Sequence, residues 1–163
     1  MRKDLADDLL RDLDILVVDG NTYMRRLTRS MLISLGARSV AEAADGIAAL
    51  EAIRTGDPDV MLLDWDVPLL NGMEVMRIVR SPNAFPRPSI PVIMLTNRAS
   101  HAEVMQAMRA GVHEFLIKPT SPKALRDRLT SILMKPRPMK QVGEFYGPEP
   151  RCKLDETKVS ASA

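Results

Sequence analysis

Four polar side chains close apolar runs along this chain of 163 residues. Asp19 ends "DILVVD", Asp64 ends "DVMLLD", Thr96 ends "IPVIMLT" and Lys118 ends "HEFLIK". In an open parallel α/β sheet, ligands bind in the crevice beyond the carboxyl ends of the strands. Strand polarity would bring these four to that edge. Acids gathered there favour a divalent cation. Taken singly, each has a plainer reading: an aspartate capping a turn, a threonine before Asn97 in a turn, a solvated lysine before Pro119. The coincidence of four on successive strand ends points to a site.

The elements that must position them alternate. The runs at 14–19, 59–64, 90–96 and 113–118 are short and apolar. "RSVAEA" (38–43) is a weaker strand candidate. Between them, residues 22–36 repeat apolar side chains at Met24, Leu27, Met31 and Leu35, which is helical spacing, and Gly36 is a stop signal. Residues 45–56, 71–81 and 100–111 carry helical patterns. Residues 121–134 open on Ser121 and Pro122, a cap and a favoured first-turn residue. Five strands, each followed by a helix, imply a parallel sheet covered on both faces.

The ends differ from this body. Residues 1–13 place Leu5, Leu9, Leu10 and Leu13 on one helical face, and form a short helix on the body or fray. Residues 14–134 make the domain. Residues 135–163 are rich in proline and small polar residues, and are expected to be a flexible tail with little regular structure. Within it, "EFYGPEP" (144–150) is either part of a disordered extension or a docking segment anchored by Phe145 and Tyr146.

Composition excludes several classes. No apolar run reaches the ~18 residues of a membrane span, and the acidic N-terminus is no secretory signal. One cysteine, Cys152, allows no internal disulfide, which fits a cytoplasmic protein. His101 and His113 have no partners at zinc-ligand spacing. Residues 1–133 hold 17 basic and 17 acidic residues, so the net charge of +2 comes from the tail and gives no nucleic-acid footprint. No direct DNA binding and no membrane insertion are expected. A nucleotide- or flavin-binding enzyme lacks support, because no glycine-rich phosphate loop follows any strand.

The segments "ILVVDGNTYMRRLTRSML", "EAADGIAALEAI", "PDVMLLDWDVPLLNGMEVMRIVR", "IPVIMLTNRA" and "AGVHEFLIKPTSPKAL" resemble, in order, the receiver domain of two-component response regulators, most closely the stand-alone, chemotaxis-type regulators. The resemblance implies a flavodoxin-like sheet of order 2-1-3-4-5. It makes Asp64 the phosphoacceptor, taking a phosphoryl group from a histidine kinase or histidine phosphotransfer protein as an autocatalytic switch rather than an enzyme. A carboxylate nucleophile attacks phosphorus, and Mg²⁺ neutralises the phosphoryl oxygens. Lys118 pairs with one of those oxygens as a point charge, Thr96 supplies a hydroxyl to another, and a cis Lys118-Pro119 peptide is expected.

One position departs from the family. Receivers usually close the first strand with two acids, and the second is commonly the direct metal ligand. Here the pair is Asp19-Gly20. Asp66 is a candidate substitute, which gives a metal set of Asp19, Asp64 and Asp66 and weakened Mg²⁺ binding. Unit charges ~4 Å apart interact by ~4 kcal/mol at an effective dielectric near 20, so such a cluster still favours a cation. Gly20 also keeps open a pseudo-receiver, a module binding protein or ligand without phosphorylation. By the same resemblance, Thr96 and Phe115 form a switch read by an output protein; the plainer reading of Phe115 is a core residue. Arg25 and Arg26 offer either a donor-docking patch or a solvated helical face.

Overall fold

The computed structural model describes residues 2–97 and 100–150. Five strands, β1 (Asp14–Val18), β2 (Ser39–Ala43), β3 (Val60–Asp64), β4 (Val92–Thr96) and β5 (Glu114–Ile117), pair in parallel in the order β2-β1-β3-β4-β5. Among the described residues six helices surround them: α1 (Arg2–Arg11), α2 (Thr22–Ser34), α3 (Gly46–Gly56), α4 (Gly72–Val79), α5 (His101–Arg109) and α6 (Pro122–Met134). This is the doubly wound, flavodoxin-like arrangement expected from the sequence.

Alternating strand residues fill two cores. Leu16, Val18, Met61, Leu63 and Met94 pack with α3 and α4 on one face, while Ile15, Val17, Leu62, Ile93 and Leu95 pack with α2 and α6 on the other. All of these strand residues are buried, and each large side chain so buried contributes about 1.5–3 kcal/mol. β3 and β4, buried along their whole length, fix the centre of the sheet. Helix starts are set by side-chain caps: Asn21, Asp45, Asn71, Ser100 and Ser121 each accept a backbone N–H, and Asn71/Glu74 and Ser100/Glu103 close reciprocal capping boxes.

The N-terminal segment resolves to a helix. Leu10 and Leu13 are buried beside α6, and Arg126 of α6 donates to Asp7 at 2.6 Å. Leu5 remains half exposed, so the leucine face is only partly used.

The segment expected to be a flexible tail is corrected over most of its described length. β6 (Met139–Val142) and β7 (Phe145–Pro148) form an antiparallel hairpin about Gly143, whose φ of 59° suits glycine. The hairpin lies on the body: Tyr146 Oη bonds Ser89 Oγ, and Arg137 donates to the carbonyls of His113 and Glu149. Phe145 and Tyr146 are half-buried against the domain itself, so the reading of 144–150 as disordered or as a free docking segment does not hold. Residues 151–163 lie outside the described residues.

Candidate functional site

The site is built where β1, β3, β4 and β5 end. Asp19 follows β1 directly, and its carboxylate is fixed by the Asn21 N–H at 2.8 Å, a turn that also lets Asn21 cap α2. Asp64 is the last residue of β3, and its Oδ1 accepts from the Asp66 N–H at 3.2 Å. The start of α4 is drawn close beneath it. Gly72 N–H donates to the Trp65 carbonyl at 2.8 Å, and a side chain at Gly72 would meet the Asp64 carbonyl oxygen at 2.9 Å. The Lys118 backbone N–H donates to the Thr96 carbonyl at 2.8 Å, and Lys118-Pro119 is cis, as expected.

Lys118 Nζ donates to Asp64 Oδ2 at 2.7 Å and to Asp19 Oδ2 at 2.9 Å. Asp19 and Asp64 are only 2% and 8% exposed, so this is a buried triad of two acids sharing one base. Burial pushes the Asp64 carboxyl above the usual range; the Lys118 hydrogen bond pulls it down without overcoming that, and the Asp19 charge adds to the rise. On Lys118, burial pulls its pKa down, yet the hydrogen bonds it donates to Asp64 and Asp19, with their charges, outweigh burial and hold it above the ordinary value. The opposite-charge rule alone would lower Asp64. That it is raised reflects burial first, which outweighs the pull of Lys118, with the like charge of Asp19 adding a little.

These groups line a cleft of ≈ 670 Å³ together with Gly20, Asn21, Met24, Asp66, Pro68, Asn97 and Pro119. Its lining carries three acids, Asp19, Asp64 and Asp66, against Lys118 alone. Such surplus negative charge suits a divalent cation, and Mg²⁺ is content with one or two carboxylates and several waters. The donor set fits Mg²⁺. It is not a closed cage: among the described residues, no three His, Cys, Asp or Glu side chains are grouped to hold a metal by themselves. Asp66 thus contributes charge to the cleft without completing a three-ligand cluster.

At Gly20 the vacancy is steric as well as electrostatic. A Cβ there would meet Pro68 Cδ at 2.8 Å, so any side chain must displace the proline ring. Thr96 is fully buried and is not among the lining residues, whereas its neighbour Asn97 is. Phe115 is half-buried against the core, at the edge of a groove of ≈ 370 Å³ that includes Val104, Met108 and Ile117.

Arg25 is not a free docking residue. Its Nη1 donates to the Asp19 carbonyl at 2.8 Å and its Nε to Glu42 at 3.1 Å, leaving the side chain 14% exposed. It braces the loop that carries Asp19. Arg26 is exposed. The brace, and the parts of Pro68, Met24 and Asn97 in the cleft, escaped the sequence reading; only their adjacency to the strand ends hinted at them.

A parallel sheet in this order, with acids at the ends of the first and third strands meeting a lysine at the end of the fifth, marks the receiver class. The chain belongs to the response regulator receiver domain family, whose model matches residues 15–130. It is 38% identical over 120 residues to the chemotaxis protein CheY1 of Helicobacter pylori, covering 73% of this chain and 95% of that one. It is 35% identical to the CheY homolog of Campylobacter jejuni, over 73% of this chain and 91% of the relative. Among solved structures, a Francisella response regulator receiver domain superposes with a TM-score of 0.69 at 27% identity, covering 76% of this chain and 98% of that one. The receiver domain of a Pseudomonas aeruginosa sensor histidine kinase, solved with magnesium coordinated in its active-site cleft, gives 0.64 at 31% identity, covering 72% and 93%. The chain is therefore a CheY-like receiver of two-component signalling, a class of signalling proteins and generally not enzymes. Among the described residues, no helix is long and apolar enough to cross a membrane.

Proposed function

We propose that this receiver is a stand-alone, phosphorylation-dependent switch that accepts a phosphoryl group on Asp64 from a histidine kinase or histidine phosphotransfer protein. The observation that carries this reading is the buried Asp19–Lys118–Asp64 triad opening on an acidic cleft. An Asp64 carboxylate oxygen attacks phosphorus, and the P–N bond of the phosphohistidine breaks. Burial and Lys118 hold that carboxylate in place, and the ammonium then turns to a phosphoryl oxygen. Asp19 and Asp64 would hold Mg²⁺, with Asp66 adding charge, and the ion would supply charge neutralisation in the transition state. Without a second acid at position 20, its affinity is lowered.

Phosphorylation shifts a two-state equilibrium. Thr96 moves from its buried position toward the phosphoryl group, Phe115 turns inward, and the surface of α5, β5 and α6 changes for an output protein. Arg26 contacts the donor, while Arg25 acts within the chain. The setting is cytoplasmic, and a chemotaxis-like role agrees with the curated relatives.

Trp65, 8% exposed and next to Asp64, reports on the cleft. Titration with Mg²⁺, then with beryllofluoride, should change its fluorescence, and Asp64→Asn should abolish the response. An unresponsive wild-type protein would favour a module that binds partners without phosphorylation.

A further inference from the structure

The cleft at the strand ends is acidic. A second cavity, of ≈ 370 Å³, has the opposite character and lies away from it, between α4, α5 and the β6–β7 hairpin. Its lining includes Arg77, Arg80 and Arg109 against the single acid Glu144, a formal balance of +2. Arg77 of α4 and Arg109 of α5 are exposed, and their guanidinium groups make no hydrogen bond or ion pair among the described residues.

Arg80 is held differently. It is 6% exposed, and its guanidinium donates to the carbonyls of Gly111, at 3.0 and 2.9 Å, and Pro88, at 2.6 Å, with His113 Nδ1 at 3.2 Å. No carboxylate lies within ion-pair distance of it among the described residues. Burial lowers its pKa to about 9, so it stays charged at neutral pH. A buried, uncompensated cation is costly, and here it puts a fixed positive charge at the cavity wall.

The hairpin is built to close this cavity. Gly147 approaches Gly111 so nearly that a Cβ on Gly147 would meet the Gly111 Cα at 2.9 Å. A Cβ on Gly111, whose φ is 90°, would meet the Tyr146 carbonyl oxygen at 3.0 Å. Two glycines back to back thus let β7 lie on the turn after α5. Phe145, Tyr146, Met73 and Met76 line the same cavity, which sets apolar and aromatic groups beside its arginines.

We infer that this cavity is a second binding site, independent of Asp64, for a small organic anion that carries a phosphate group on a flat apolar body. Arginine forks match phosphate oxygens bidentately and stack on flat groups. The cavity volume falls in the ~300–1,000 Å³ range of small-ligand pockets. The hairpin makes such a ligand a staple between the body and the C-terminal segment.

The test uses the full chain, with phenyl phosphate, inorganic phosphate, phenol and an acidic peptide titrated separately while ¹⁵N–¹H spectra are recorded. Phenyl phosphate should shift the Arg77 and Arg109 side-chain signals and the amides of residues 144–147, with inorganic phosphate at least about tenfold weaker and phenol inert. The double variant Arg77→Gln/Arg109→Gln should weaken phenyl phosphate by about tenfold or more while the hairpin amides keep their positions. Asp64→Asn should bind it as the wild type does, which separates this site from the phosphoacceptor. Equal binding of inorganic and phenyl phosphate would overturn the inference, as would unchanged affinity in the double variant. Response to the acidic peptide alone would also overturn it and make the surface one for a protein partner.

Discussion

At the scale of single residues, the protein carries a buried ion cluster with more negative than positive charge. Asp19 and Asp64 share one ammonium, and Asp64 is left with a raised pKa. Asp64→Asn removes one of the two like charges and leaves Lys118 paired with Asp19. Without metal, it should raise stability by on the order of 1 kcal/mol at neutral pH, read from urea unfolding. Added Mg²⁺ should stabilise the wild type by mass action and the variant much less. Gly20 asks for a matched pair of variants. Gly20→Ala and Gly20→Asp both push on Pro68, but only the second restores a carboxylate. If the missing acid weakens the metal site, Gly20→Asp should bind Mg²⁺ more tightly than Gly20→Ala by Trp65 titration; equal affinities would make the glycine irrelevant to the metal. The acids and the lysine were legible in the sequence because each ends an apolar run, and strand polarity then dictates one edge. The burial of Thr96, the approach of Pro68 to Gly20 and the engagement of Arg25 were not, because they depend on which way side chains turn once the loops meet.

At the scale of elements, α2 does two jobs with adjacent arginines. Arg25 reaches back to the Asp19 carbonyl, so Arg25→Ala should cost about 1 kcal/mol or more in unfolding free energy and loosen Mg²⁺ binding with it. Arg26 faces outward. Arg26→Glu should leave stability and phosphorylation by a small-molecule donor unchanged, while slowing transfer from a phosphohistidine protein; equal rates from both donors would mean that Arg26 is a solvated residue. The main strands and helices could be read from periodicity, even the weak β2, which the neighbouring β1 recruits into the sheet edge. The β6–β7 hairpin could not. Its strands are four residues each, flanked by prolines; β7 is stabilised by contacts with Ser89 and Gly111, and Arg137 before β6 by His113, all remote in sequence. Composition there points to disorder, and tertiary contact overrides it.

At the scale of the whole molecule, the two cores supply rigidity and the strand ends concentrate charge. The pH dependence follows from the direction of the two shifts. Lys118 is raised, so its contribution to stability is present below the ordinary lysine value of 10.5 and is lost as pH climbs through its higher folded value. Asp64 is raised too, so the folded state holds that proton more tightly than the unfolded chain, and stability falls as pH rises from the ordinary value of 3.8 through the raised one. The two effects act in separate windows. Acidification through the lower window also protonates Asp64, the proposed metal ligand, so the rise in Tm caused by Mg²⁺ should shrink there, and in Asp64→Asn it should be much smaller at every pH. A Tm increment independent of pH would place the metal elsewhere.

The account turns on whether Asp64 takes up phosphate. The direct measurement is intact mass of the full chain after incubation with phosphoramidate and Mg²⁺, beside Asp64→Asn and a sample lacking metal. One added phosphoryl group on the wild type, absent from both controls and mapped to the peptide containing Asp64, is the expected result. No added mass under conditions where Mg²⁺ demonstrably occupies the cleft, or the same addition in Asp64→Asn, would contradict it.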